Sequence, residues 1–257
     1  MLINNFLTFI IGCCFGSFIN VIIYRIPNNL SIISPRSFCP ECKKKINWYD
    51  NLPLISYILL NAKCRNCEKS ISVRYLIVEL ITGISFLLIF LSFKNLYAIV
   101  FLSTLVLILI MIFFIDLENF IIPDSLNFSV MGLALVKNFI PSFNTSLIHD
   151  INQSLIGGII GYFSIWLIIF LYKTLKKIDG MGLGDAKLMA GIGLLFGWQS
   201  IPLVLFLSSI LGLFFVAPSL LKKQKTMKSE IPFGPFIIIA MLIYFVFGDF
   251  FYGLILV

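Results

Sequence analysis

Apolar residues run almost unbroken through eight stretches of this chain, at about 4–23, 75–93, 97–115, 126–139, 153–172, 186–197, 201–219 and 233–255. A helix needs roughly 20 consecutive apolar residues to cross the hydrocarbon core of a bilayer, so the pattern predicts eight transmembrane helices, two of them short. The sixth, with Gly191, Gly193 and Gly197, is too short to cross comfortably alone, as fits a helix enclosed by its neighbours. The fold class expected is an all-α polytopic membrane protein. Its divisions are a first transmembrane helix at 1–24, a polar loop domain at 25–74 and a seven-helix membrane domain at 75–257.

Composition agrees with that pattern. A hydrophobic share of 60%, 27 phenylalanines and only 12% charged residues exclude a soluble domain. The net charge of +7 does not point to nucleic acid, because the basic residues are scattered among short loops rather than gathered on one domain. Their placement reports topology instead. With the N-terminus outside, all but Lys94 and Lys137 of the 19 lysines and arginines fall on the inner face, which predicts extracytoplasmic termini. No cleavable signal is evident, since nothing basic precedes the first apolar run. Cys13 and Cys14 are expected to pack inside that first helix as small hydrophobes.

Residues 25–74 are too few for a large core and need a staple. Cys39-Pro40-Glu41-Cys42 and Cys64-Arg65-Asn66-Cys67 offer one, as two CxxC knuckles slightly further apart than in most zinc ribbons. Four thiolates can close a tetrahedral zinc site, with Lys43, Lys44, Lys45, Lys63 and Arg65 near to offset their charge. The alternative of two disulfides suits an oxidising compartment, whereas a cytoplasmic loop is kept reduced.

Chemistry gathers in Gly180-Met181-Gly182-Leu183-Gly184-Asp185-Ala186-Lys187-Leu188, where alternate glycines deliver one carboxylate to the start of an apolar segment. Such a run allows strained backbone and close approach of another chain. A dinucleotide loop would need a preceding strand, but an apolar run of membrane length precedes it. Acid proteolysis uses two carboxyl groups sharing a proton, and the partner expected for Asp185 is Asp116, at the inner end of the third helix. Asp124 follows Pro123 and reads as a helix cap, and Glu118 reads as solvated. The N-terminus of the sixth helix favours an anion at Asp185, so Asp185 is expected to be the ionised base and Asp116 the protonated partner. Glu79, five residues after Arg74 in the second helix, is either functional or a structural polar contact. His149 reads as a solvated residue of an outer loop. Pro232-Phe233-Gly234-Pro235 breaks the chain before the last helix, where it either shapes a substrate opening or simply ends a lysine-rich loop.

Taken together, the Gly182-Leu183-Gly184-Asp185 loop and upstream Asp116 resemble the GxGD class of membrane aspartyl proteases. Within it the chain is similar to bacterial type IV prepilin peptidases, through Gly16-Ser17-Phe18-Ile19-Asn20 and the residues on to Pro27, the four cysteines, Arg74-Tyr75 with Glu79, and Ile231-Pro232-Phe233-Gly234-Pro235. Phe38 and Glu68 depart from the family pattern, where histidine and glycine are common. The resemblance implies an aspartic endopeptidase with Asp116 and Asp185 catalytic, Gly182, Gly184, Lys187, Asp124 and Glu79 supporting loop or substrate, and structural zinc on Cys39, Cys42, Cys64 and Cys67. It also implies N-methylation of the new N-terminus with S-adenosylmethionine, although no methyl-donor motif is visible. The implied substrates are prepilins or pseudopilins at the cytoplasmic face of the inner membrane, with pilus or type II secretion assembly machinery as partners. An ion-coupled transporter could use the same carboxylates as a relay, but it gives the cysteine loop no task.

Overall fold

The computed structural model of the chain describes residues 2–140, 150–177, 181–221 and 231–255. His149 and Gly180 therefore lie outside the described residues. The described residues are helical, with isolated bridges in place of strands: α1 Leu2–Arg25, α2 Ile55–Leu59, α3 Val73–Ser92, α4 Leu96–Asn119, α5 Asp124–Val136, α6 Ile151–Lys176, α7 Leu183–Phe196, α8 Ser200–Leu221 and α9 Gly234–Ile255. Each of the eight apolar stretches becomes a helix. Five are long and apolar enough to cross a membrane, ending at Arg25, Ser92, Asn119, Lys176 and Ala217, while Gly234–Gly248 forms a shorter apolar segment of α9. The hydropathy missed α2, a single turn that follows a 3-10 turn at Trp48–Asn51 inside the polar loop.

Two compact units divide the chain, Met1–Met111 and Ile112–Val257. In the first, α1 packs against α3. The sequence permits this through Gly12 and Gly16, one turn apart on α1. A Cβ on Gly12 would stand 2.8 Å from the Gly83 Cα, and one on Gly16 would stand 2.7 Å from the Glu79 Cα. Backbones without side chains between them gain dispersion contacts that lipid cannot offer. Cys13 is buried in this interface as expected, but Cys14, one position round the helix, is exposed.

The second unit is organised around α7. Eleven of its fourteen residues are buried, Asp185 among them, and α5, α6, α8 and α9 all pack on it. A helix apolar on every face and buried on every face needs no amphipathic stripe. At the crossing with α6, Gly157 and Gly193 touch backbone to backbone: a Cβ on either would fall on the other's carbonyl oxygen. Gly197 then ends α7 at φ 77°, with its N–H donating to the Gly193 carbonyl at 2.8 Å. Lys137, counted on the outer side from the charge distribution, is fully buried, and its Nζ donates to Ser154 Oγ at 2.9 Å and Asn138 Oδ1 at 3.1 Å.

Candidate active site

Asp185 lies in the first turn of α7, which Gly182 precedes as N-cap. Only 7% of it is exposed, and its N–H donates to the Gly182 carbonyl at 3.2 Å. The glycines around it act by proximity rather than by unusual dihedrals. Gly182 has φ −82° and Gly184 is helical, but a Cβ on Gly184 would stand 3.0 Å from Ile122 Cβ. The same turn is tied to α5, because Asn127 Nδ2 donates to the Gly184 carbonyl at 3.1 Å. One turn on, Lys187 Nζ pairs with Asp124 at 2.6 Å and sits over the Phe128 ring. Asp124 is thus the first residue of α5 without being its cap, and its side chain remains 59% exposed.

Asp116 sits one turn before the end of α4, which runs on to Asn119. It is 4% exposed, whereas Glu118, two residues further, faces outward. The N–H of Gly234, first residue of α9, donates to Asp116 Oδ2 at 2.9 Å. Asp116 and Asp185 are close enough to interact electrostatically. Ile122 borders both places, since a Cβ on Gly234 would lie 3.0 Å from its Cδ1. The structure therefore separates the four carboxylates of this region into a buried pair, Asp116 and Asp185, and an exposed pair, Glu118 and Asp124. Neither Gly234, Asn127 nor Ile122 was singled out for this role from sequence; the one signal for Gly234 was a glycine between two prolines before an apolar run.

In the first unit, the Sγ atoms of Cys39, Cys42, Cys64 and Cys67 all lie within 4.8 Å of one another, with Cys39 Sγ and Cys67 Sγ 3.9 Å apart. Tetrahedral zinc with Zn–S bonds of about 2.3 Å would place sulfurs roughly 3.8 Å apart, so the donor set fits such an ion. The two knuckles repeat one hydrogen-bond pattern. Lys43 N–H donates to the Cys39 carbonyl and Glu68 N–H to the Cys64 carbonyl, both at 2.9 Å, and the Cys39 and Cys64 amides donate onward to Lys44 and Lys69. Other amides of the second knuckle act electrically: those of Asn66 and Cys67 hold the Cys64 thiol down at about 7. The Arg65 guanidinium grips Asp50 through Nε and Nη2. Phe38 lies under the Arg25 and Lys43 cations.

The repeated pattern explains a residue that looked anomalous. Lys43 and Glu68 occupy equivalent corners, at φ 59° and 57°, a left-handed conformation that costs a side-chain-bearing residue about 1–2 kcal/mol. Glu68→Gly is therefore expected to stabilise the loop by about 1 kcal/mol. Denaturant midpoints read from Trp48 fluorescence, in a background carrying Trp166→Phe and Trp198→Phe, would check it, and a lowered midpoint would refute it.

Glu79 is buried in α3 and accepts the N–H of Leu54 at 2.8 Å. Leu54 is at φ 61°, ψ −48°, the centre of a tight turn closed from Ile55 N–H to the Pro53 carbonyl. The carboxylate thus pins a strained turn of the loop to the membrane helix.

A bacterial peptidase A24 N-terminal domain model matches residues 10–93, and the type IV leader peptidase family model matches residues 103–217. The prepilin leader peptidase/N-methyltransferase of Vibrio cholerae is 37% identical over 245 residues, covering 92% of this chain and 94% of that protein. Its counterpart in Aeromonas hydrophila is 32% identical over 267 residues, covering 95% and 90%. That of Pseudomonas aeruginosa is 30% identical over 265 residues, covering 94% and 90%. The chain belongs to the type IV leader peptidase family. No solved structure gives a significant match. The leader peptidase match contains Asp116, Asp185 and Lys187, and the N-terminal match contains all four cysteines and Glu79. Gly234, which touches Asp116, lies beyond both. With five helices long and apolar enough to cross a membrane among its described residues, the chain is a multi-pass membrane protein.

Proposed function

We infer that this protein is a prepilin leader peptidase and N-methyltransferase, with Asp116 and Asp185 as its hydrolytic pair. The observation that carries this reading is two buried carboxylates at helix termini in a largely apolar bundle, in a chain of this family. A carboxylate buried among membrane helices is costly to keep without a task. In the reaction one carboxylate takes a proton from water as the water attacks the scissile carbonyl, and the other donates a proton to the carbonyl oxygen. The pair then collapses the tetrahedral intermediate by returning a proton to the leaving amine.

The substrate class is a prepilin or pseudopilin with a short basic leader and an apolar helix. The exposed carboxylate of Glu118, close in sequence to Asp116, would attract such a leader, whereas Asp124 is already paired with Lys187. The distribution of lysine and arginine supports eight transmembrane helices with both termini extracytoplasmic, and so a pair that faces the cytoplasm. S-adenosylmethionine supplies the methyl group for the second activity, and pilus or type II secretion assembly machinery receives the product. Incubating the purified protein with a prepilin and methyl-labelled S-adenosylmethionine tests the assignment: a shortened, labelled product is expected, and an intact substrate would reject it.

Cys39, Cys42, Cys64 and Cys67 would hold one zinc ion, which cross-links the loop and offsets thiolate charge. One zinc per chain is therefore expected by metal analysis. It should stay bound at neutral pH and leave as pH falls, because protons recapture the thiolates. Metal-free protein from freshly isolated membranes, or cysteines found there as disulfides, would overturn the assignment.

A further inference from the structure

We propose that Gly234 is a positioning residue for the hydrolytic pair: its backbone N–H tethers Oδ2 of Asp116, leaving Oδ1 as the oxygen that exchanges a proton with water. The inference rests on the assignment of Asp116 above.

A carboxylate on a free side chain turns about its last torsion, which interconverts its two oxygens. A fixed donor removes that equivalence. The donor here belongs to the first residue of α9, one of the amides that have no acceptor within their own helix. The next amides of that helix are spoken for, because Phe236 and Ile237 both donate to the Phe233 carbonyl at 3.1 Å. Gly234 N–H instead crosses to Asp116 at 2.9 Å, in a buried setting where such a bond to a carboxylate is strong.

Geometry also says why the donor is glycine. A Cβ at position 234 would stand 2.8 Å from Asp116 Oδ2 and 3.0 Å from Ile122 Cδ1. No side chain can be added without turning the carboxylate or moving the neighbour of Gly184. The flanking prolines serve the same end. Pro232 and Pro235 have no N–H, and their rings restrict the backbone on either side, so the amide is presented from a stiff corner.

This arrangement also removes one ground for the division of labour expected in the pair. From sequence, only Asp185 had a helix N-terminus beside it. In the structure Asp116 has one as well, through α9.

Two measurements test the proposal. First, Gly234→Ala is expected to lower kcat for prepilin cleavage about 100-fold, the scale of a small misplacement of a reacting group, while KM stays within about two-fold and methyl transfer to an already cleaved pilin peptide is retained. An unchanged kcat, or a loss confined to KM, would overturn it. Second, residue-resolved hydrogen exchange needs no folded Gly234 variant. Between Pro232 and Pro235 only Phe233 and Gly234 carry an exchangeable amide, so the signal is clean. Gly234 should exchange slowly in the wild-type protein and at least about ten-fold faster in Asp116→Ala, with the interior amides of α9 unaltered. Fast exchange in the wild type, or equal rates in the two proteins, would sink the tether. A wild-type protein that protects Gly234 yet cleaves no prepilin would leave the tether standing and reject the peptidase assignment instead.

Discussion

Asp116→Asn and Asp185→Asn are each expected to reduce leader cleavage by about 10⁴-fold or more, while methyl transfer to an already cleaved pilin peptide continues. An amide keeps the shape of the side chain but cannot cycle a proton, and general acid–base chemistry is worth about 10² to 10⁴ in rate for each group. Because the two carboxyls act as one unit, the double variant should be no slower than either single one. Asp124→Asn provides the contrast. It breaks an ion pair whose carboxylate is 59% exposed, and such exposed pairs contribute no more than about 1 kcal/mol. Rates measured on one prepilin with all four proteins would decide the matter. If Asp124→Asn were dead and Asp116→Asn active, the roles would be exchanged. The wild-type rate should trace a bell against pH, falling in acid as the pair loses its single charge and in alkali as it loses the shared proton. A flat profile with chemistry rate-limiting would count against a shared-proton pair.

The second large effect concerns folding. Gly193→Val, or Gly157→Val, is expected to destabilise the protein by about 3 kcal/mol, the upper end for overpacked interiors. Each added Cβ would meet the carbonyl of the facing helix rather than a side chain that could rotate away. The two helices would have to part, and α7 carries Asp185. Gly132→Ala in α5 is the control, because a Cβ there meets nothing within 4 Å, and alanine improves helix propensity by up to about 1 kcal/mol. Thermal unfolding of the purified variants would distinguish them. A Gly193→Val protein as stable as Gly132→Ala would show that the crossing is looser than described.

Much of this architecture was legible in the sequence because hydrophobic runs and short spacings are local signals. The eight apolar stretches located eight helices, and the glycines of the sixth foretold its enclosure. The CxxC pairs foretold a four-sulfur cluster, since two residues between cysteines leave both sulfurs facing one point. Three features were not legible for a common reason. The bond from Gly234 to Asp116, the bond from Leu54 to Glu79 and the pair of Lys187 with Asp124 join positions far apart in the chain, with no periodicity to announce them. Local reasoning also misjudged Asp124, because a carboxylate after a proline usually caps its own helix, and here a cation on α7 competes for it. At Gly182 and Gly184 the sequence showed that glycine was wanted without showing whether dihedral freedom or contact required it.

The enclosure of α7 bears on how the protein meets membranes of different thickness. Fourteen helical residues span about 21 Å, well short of the roughly 30 Å hydrocarbon core. A lipid-facing helix of that length would force the bilayer to thin or would tilt with each change in acyl chain length. Because α5, α6, α8 and α9 pack around α7, lipid presses on those outer helices and the mismatch is absorbed by their tilt. Asp185 thus rides on an element insulated from that pressure.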